Sequence, residues 1–187
     1  MYVTWYTAMS IDGRIAGPGD DLSFLALLEA AGEHEAEFAE FIATIDAIVI
    51  GSATQRWLVK EGQALPHRGL PIWLVSHDVA LAEAAAAADA DTPVTRVEGD
   101  IAPILDAIEA AGHERIWICG GGDIAGQALA VDRVDELLLT MAPTVLGSGP
   151  TVFDAAALER RLFTLEELRR YGANGVRMRW LRDRSAT

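Results

Sequence analysis

Three consecutive glycines, Gly120-Gly121-Gly122, separate an apolar run, Arg115-Ile-Trp-Ile-Cys119, from an amphipathic stretch over Asp123 to Val131. Without a Cβ the chain can turn there while successive N–H groups, and the N-terminus of the helix that follows, point at an anion. The chemistry on offer is phosphate binding, and the expected phosphate is a nucleotide's. The glycines match the dinucleotide fingerprint of doubly wound folds only loosely, as Gly120-x-Gly122-x-x-x-Gly126, and they follow four earlier strand-like runs instead of the first. A second amide-rich helix start is expected at Ser52-Ala53-Thr54, after the run that ends in Gly51. Two such N-termini some distance apart suit a dinucleotide, since a single phosphate would not need both. A tight turn without a ligand is the alternative reading of the glycines. Cys119 is the only cysteine, so no disulfide forms within the chain, and its place beside the glycines suits a packed thiol better than a nucleophile.

The elements that must position these groups read as a parallel α/β pattern. Short β-rich runs at Val3 to Met9, Ala47 to Gly51, Ile72 to Ser76, Val94 to Val97 and Ile116 to Cys119 alternate with helical stretches. The helices are expected at Leu22 to Thr44, Ala53 to Val59, Val79 to Ala88, Ile101 to Ala111 and Ile124 to Ala130. The last third departs from the pattern: Leu137 to Met141, Leu162 to Tyr171 and Gly175 to Arg182 are strand-like, and the latter two predict an antiparallel hairpin. In a parallel sheet ligands collect beyond the carboxyl ends of the strands. Four punctuated turns fall there, at Ala8 to Gly13, Gly51 to Thr54, Ser76 to Asp78 and Gly120 to Asp123.

Composition bounds the function. With 187 residues, 51% of them hydrophobic, the chain can bury one substantial core and reads as a single domain over 1–187. A formal net charge of −13 argues against a nucleic-acid partner, and Arg160-Arg161 and Arg177 to Arg184 read as solvated faces of late strands. There is no secretory leader and no apolar run near eighteen residues, so a soluble, cytoplasmic protein without a membrane partner is expected.

The segments Val134-Asp-Glu-Leu-Leu-Leu-Thr-Met-Ala-Pro143 and Val145-Leu-Gly-Ser-Gly-Pro-Thr-Val-Phe153 resemble the C-terminal reductase domain of the bifunctional riboflavin-biosynthesis deaminase-reductase. Three further landmarks occur in order: Ala8-Met-Ser-Ile-Asp-Gly13, Ile50-Gly51-Ser-Ala-Thr54 and Trp73-Leu-Val-Ser-His-Asp78. The resemblance covers nearly the whole chain. It implies the dihydrofolate reductase-like three-layer α/β fold: a mixed, mostly parallel sheet with an antiparallel C-terminal hairpin and helices on both faces. It also implies a homodimer. The deaminase half of that enzyme is missing, and one cysteine cannot supply its zinc ligands, so no metal is expected.

Carried over residue by residue, the resemblance implies that NADPH is the cofactor. Ala8 and Met9 would lie near the nicotinamide, Gly51, Ser52, Ala53, Thr54, Ser76 and His77 would flank the adenosine and its 2′-phosphate, and Cys119, Gly120, Gly121, Gly122, Asp123 and Ile124 would hold the pyrophosphate. A cis peptide bond between Gly120 and Gly121 is implied as well. Ser52 stands where dihydrofolate reductases often carry an arginine, which leaves His77, Arg56 and Arg96 as the cations in reach. Asp12 would bind substrate or help deliver a proton as hydride reaches a C=N or C=O carbon, or it is ordinary Asp-Gly turn chemistry. Asp21 stands near the acidic helix start of dihydrofolate reductases and is equally an N-cap. The riboflavin reductase's Asp-x-Pro-x-Leu stretch is replaced by Gln-Arg-Trp-Leu-Val-Lys60. The function implied is an NADPH-dependent reductase, similar to 5-amino-6-(5-phosphoribosylamino)uracil reductase, acting on a small heterocyclic, carbonyl or imine substrate. The alternatives are a dihydrofolate reductase and a non-catalytic NADP-binding module.

Overall fold

In a computed structural model, which describes residues 1–28, 33–63, 65–154 and 158–185, eight strands form one sheet. The strands are β1 (Tyr2–Met9), β2 (Ala47–Gly51), β3 (Ile72–Val75), β4 (Val94–Val97), β5 (Arg115–Gly120), β6 (Glu136–Met141), β7 (Leu162–Tyr171) and β8 (Gly175–Asp183). Their order across the sheet is β4-β3-β2-β5-β1-β6-β8-β7. The first six run parallel, and β8 and β7 close the sheet as the expected antiparallel hairpin. Five helices connect them: α1 (Glu33–Ile42), α2 (Ser52–Lys60), α3 (Val79–Ala88), α4 (Ile101–Ala110) and α5 (Gly122–Ala130).

Side-chain alternation along the buried strands sorts the core into two layers. Val3, Trp5, Ala47, Val49, Ile116 and Ile118 point to one face, where α4 and α5 cover them with Ile104, Leu105, Ile108 and Ile124. Tyr6, Ile48, Ile50, Ile72, Leu74 and Trp117 point to the other, beneath Ile42 of α1, Leu58 of α2 and Ala82 and Ala85 of α3. Helix, sheet and helix layers follow from that alternation.

One expected element divides. The helix predicted over Leu22 to Thr44 is instead a 3-10 helix at Ser23–Leu28 followed by α1, and the prediction at 29–32 lies outside the described residues. The two pieces serve different clusters: Phe24 and Leu28 pack with Ala142 and Tyr171, while Phe38, Phe41 and Ile42 pack around Tyr6 and Trp117.

The strand order places the carboxyl ends of β3, β2, β5 and β1 side by side, so the four punctuated turns line one edge in that sequence. Three inter-strand steps give that row a span of about 14 Å. Pairing between β2 and β5 slips where Val49 faces Ile118 but Ile50 faces Gly120, which leaves Cys119 as the extra residue of a bulge just before the glycines. The Gly120–Gly121 bond is cis.

Candidate active site

At that edge a cavity of about 270 Å³ is bordered by Thr7, Ala53, Thr54 and Gly120 to Gly122. The helix N-termini of α2 and α5 open beside it. Their N-caps are Gly51 and Gly121, and neither is closed by a side-chain hydrogen bond, whereas the N-cap of α3, Asp78, accepts from Leu81 N at 3.0 Å. The amides of two first turns are thus left without a capping side chain at the cavity, as an anionic ligand requires.

The three glycines have different reasons to be glycine. A Cβ at Gly122 would lie 1.9 Å from the Thr151 carbonyl oxygen, and one at Gly120 would lie 2.5 Å from Thr54 Oγ1. Both are dictated by close packing inside the protein. At Gly121 the nearest atom to such a Cβ is Thr54 Oγ1 at 3.7 Å, and the backbone is ordinary extended chain (φ −103°, ψ 179°). Among the described residues no other atom lies within 4 Å of that position, so the cavity wall stands open at Gly121. This open cradle beside two uncapped helix N-termini fits a dinucleotide's phosphates. Asp20, Asp123 and Asp154 also border the cavity, so backbone amides, not net positive charge, would have to hold them.

The Gly147-Ser-Gly-Pro150 segment closes this side. Gly149 has φ +114°, and a Cβ there would meet the Ala16 carbonyl oxygen at 2.1 Å, so only glycine allows the approach. Asp12 holds the same loop. Its carboxylate accepts from Ser10 Oγ at 2.6 Å, Leu146 N at 3.0 Å and Gly147 N at 2.8 Å. The Ser10 hydroxyl first, then the two loop amides, draw its pKa down to about 2. Asp12 is therefore an ionised clamp between the turn after β1 and the loop after β6, and it borders neither this cavity nor the larger one described below.

The remaining expected residues distribute as follows. Thr54 and Ala53 border the cavity, as do Cys119 and Asp123, whose carboxylate accepts from Gln127 Nε2 at 3.0 Å. Burial pushes the Cys119 thiol up to about 12, which leaves it protonated and unreactive. Ile124 is a packing residue, its Cδ1 3.0 Å from where a Gly51 Cβ would lie. Met9 packs into the core. Ser52 Oγ accepts from Arg56 Nη2 at 3.2 Å. Ser76 is buried, and its carbonyl accepts from Arg96 Nη1 at 3.1 Å. His77 is 89% exposed and sits 3.3 Å from Glu98 Oε2, the same carboxylate that Arg96 engages at 2.8 Å. The Arg96 and His77 contacts hold the Glu98 carboxyl below its ordinary range. Asp21 is exposed, and its carboxylate accepts from Ser23 N at 2.9 Å and Ser23 Oγ at 3.0 Å, a local turn leading into the 3-10 helix.

A larger cavity, about 400 Å³, lies against β1 on the side where Tyr6 and Ala8 project. Phe38, Trp117 and Tyr171 give it flat apolar walls, with Trp117 held by its indole N–H donating to the Tyr6 carbonyl at 3.3 Å. One wall is polar. Arg177, expected on a solvated face, is only 4% exposed and lies over the Tyr171 ring at 4.1 Å. Its Nε donates to Thr140 Oγ1 at 3.0 Å, its Nη2 to Tyr6 Oη at 2.8 Å and its Nη1 to Glu37 Oε2 at 2.8 Å. Arg169 Nη2 meets the same Glu37 oxygen at 2.6 Å. This cluster was not legible in the sequence, because Tyr6, Glu37, Thr140 and Arg177 come from four elements. The only local signal was period-two alternation, which puts Arg177 and Arg179 on one face of β8. Among the described residues no helix is long and apolar enough to cross a membrane, and no group of three or more His, Cys, Asp or Glu side chains could hold a metal ion.

Residues 1–176 match the model of the RibD C-terminal domain family. The chain is 24% identical over 157 residues to the uncharacterised protein YwjB of Bacillus subtilis (strain 168), covering 84% of this chain and 85% of that one. Among solved structures it is similar to a protein from Shewanella sp. PV-4 with a proposed role in riboflavin biosynthesis, at a TM-score of 0.85 and 22% identity over 98% of this chain and 100% of the other. It is also similar to the diaminohydroxyphosphoribosylaminopyrimidine deaminase/5-amino-6-(5-phosphoribosylamino)uracil reductase of Thermotoga maritima, at a TM-score of 0.73 and 12% identity, with 97% of this chain spanning 56% of that protein. The chain belongs to the RibD C-terminal domain family.

Proposed function

We propose that this member of the RibD C-terminal domain family is a nicotinamide-dependent reductase that uses NADPH and acts on a small heterocycle carrying a reducible C=N or C=O bond. Family membership supports an oxidoreductase. The observation that carries the cofactor reading is the open cradle at Gly121 between the uncapped N-termini of α2 and α5. Gly120 to Gly122, Ala53 and Thr54 would hold the pyrophosphate by backbone amides, and the Arg56 and Arg96 guanidiniums, with the His77 ring, would meet a 2′-phosphate. When bound, the cofactor supplies the hydride.

The chain's own residues do the rest. Ala8 borders the larger cavity and the neighbouring Thr7 borders the smaller one, so the end of β1 separates the two by one side-chain alternation. A flat ring enclosed by Phe38, Trp117 and Tyr171 would be kept from water beside that strand, with the Tyr6 and Thr140 hydroxyls within the same cavity to orient its polar edge. Asp12 serves by fixing the loop over the cradle, and its low pKa makes it a poor proton donor.

Two observations weigh against the alternatives. A dihydrofolate reductase needs a free carboxylate facing the ring, but Asp21 caps a turn and Glu37 is engaged by two arginines. A module that only binds nucleotide has no use for a second, aromatic cavity with a polar wall. The edge position of β7 and the exposure of Leu165 and Leu168 on it support a homodimer formed through the C-terminal hairpin, and the reading as a whole implies a cytoplasmic enzyme. Titrating the protein with NADPH and NADH, then following loss of NADPH absorbance across pyrimidinediones, pterins and aminopyrimidines, tests the proposal. Saturable NADPH binding with turnover of at least one ring class is expected; absence of dinucleotide binding would overturn it.

A further inference from the structure

The border of the smaller cavity carries the wrong sign of charge for phosphates alone. Asp20, Asp123 and Asp154 border it, and among the described residues no lysine, arginine or histidine does. Asp123 is engaged by Gln127 Nε2, but among the described residues neither the Asp20 nor the Asp154 carboxylate has a hydrogen-bond or ion-pair partner. Backbone contacts fix both beside the glycines. Gly17 N donates to the Asp21 carbonyl at 2.8 Å, closing the turn that holds Asp20 at φ +63°, and Asp154 N donates to the Gly122 carbonyl at 3.0 Å.

A separate observation points to a ligand in the same place. Trp5 alternates with Thr7 on the face of β1 that borders this cavity, it is fully buried, and its indole N–H has no acceptor among the described residues. A buried donor left open costs stability until an acceptor arrives from outside the chain. Free amides call for anions, the indole for an acceptor, and the unspent carboxylates for a positive charge. One kind of ligand offers all of these. The oxidised nicotinamide dinucleotide carries a pyrophosphate, a carboxamide and a pyridinium ring, whereas the reduced form has the same phosphates and a neutral ring.

We propose that Asp20 and Asp154 form an acid rim that discriminates between the oxidation states of the cofactor, holding the positively charged ring more favourably than the neutral one and so making the bound cofactor a stronger hydride donor. This rests on the cofactor reading above and deepens it. Loss of hydride to a substrate carbon, whose neighbouring heteroatom takes a proton from water, leaves the nicotinamide ring one positive charge richer. Asp20 follows β1 and therefore lies on the β1 flank of the glycines, where hydride must cross to the aromatic cavity, and not on the β2 and β3 flank of the 2′-phosphate cations.

The probes are NADP+ and NADPH, whose dissociation constants are measured by calorimetry at neutral pH and low salt. Their ratio cancels the repulsion between carboxylate and phosphate, which is common to both. Asp20→Asn and Asp154→Asn remove one charge each without changing shape, and asparagine tolerates the positive φ of Asp20. Each should raise the ratio of the NADP+ to the NADPH dissociation constant about three-fold, and the double variant about ten-fold, as expected for one unit charge acting within several ångströms of a partly solvated ring. Added salt should shrink the shift. Glu98→Gln, beyond β3, is the control: it should alter both affinities alike and leave the ratio unmoved. A ratio within two-fold of wild type in the double variant, or one moved as far by Glu98→Gln, would overturn the proposal and leave the cofactor reading standing. A merely structural role for either aspartate would change thermal stability and not the ratio. Failure of both dinucleotides to bind would overturn the cofactor reading and the acid rim with it.

Discussion

Replacing neighbouring glycines by alanine separates packing from ligand space at the cradle. At Gly122 the new methyl would sit 1.9 Å from the Thr151 carbonyl oxygen and 3.1 Å from its carbon, both backbone atoms. That loop is pinned by Val152 N donating to the Gly13 carbonyl at 2.9 Å and by Asp154 N donating to the Gly122 carbonyl at 3.0 Å, so it has to move as a unit by more than an ångström. Overpacking of this kind costs about 3 kcal/mol, the upper end of its usual range. In a chain of this size that lowers Tm by about 6–12 °C. At Gly121 the methyl meets, among the described residues, Thr54 Oγ1 alone at 3.7 Å, an ordinary contact, in an extended backbone that alanine adopts. Gly121→Ala should therefore keep Tm within a few degrees of wild type. Its methyl fills the space left for a pyrophosphate, and NADPH affinity should fall ten-fold or more, about 1.4 kcal/mol. Differential scanning fluorimetry and fluorescence titration with NADPH read the two effects separately. If Gly121→Ala binds NADPH as wild type does, or if Gly122→Ala is as stable as wild type, the division of roles between the two glycines is wrong.

Two further substitutions address the acidic clamps. The folded pKa of Asp12 is depressed, so its contribution to stability is present above the unfolded carboxylate range and is lost as pH falls through about 2. The Tm difference between wild type and Asp12→Asn should accordingly be largest near neutral pH and vanish at the acid end, with cofactor affinity little changed; a difference independent of pH would refute the ionised clamp. Glu98 sits on both His77 and Arg96. Glu98→Gln should remove the negative charge that Arg96 and His77 face and raise the ratio of NADPH to NADH affinity several-fold at low salt, and an unchanged ratio in competitive titration would remove the 2′-phosphate from that corner.

How much of this could be seen in the sequence follows from the range of the forces involved. Local rules set the strands and turns: the apolar run at Ala47–Gly51 is a strand because it is buried on both faces, the alanine-rich Val79–Ala88 is a helix by propensity, and Asp78 caps it. The glycine cradle and its two helix starts were legible for the same reason, since each depends on a few consecutive residues. The polarity of the larger cavity was not. Arg177 reads as a solvated cation within its own strand and becomes a buried one only because the hairpin brings β8 against β6, opposite Tyr6 of β1 and Glu37 of α1. The role of Asp12 was likewise decided at a distance, by loop amides 134 and 135 residues away, whereas that of Asp21 was decided locally, by a serine two residues on. Sequence determines which groups can donate, accept or turn the chain; only the packing of distant elements decides which of those groups are already spent on each other and which are left for a ligand.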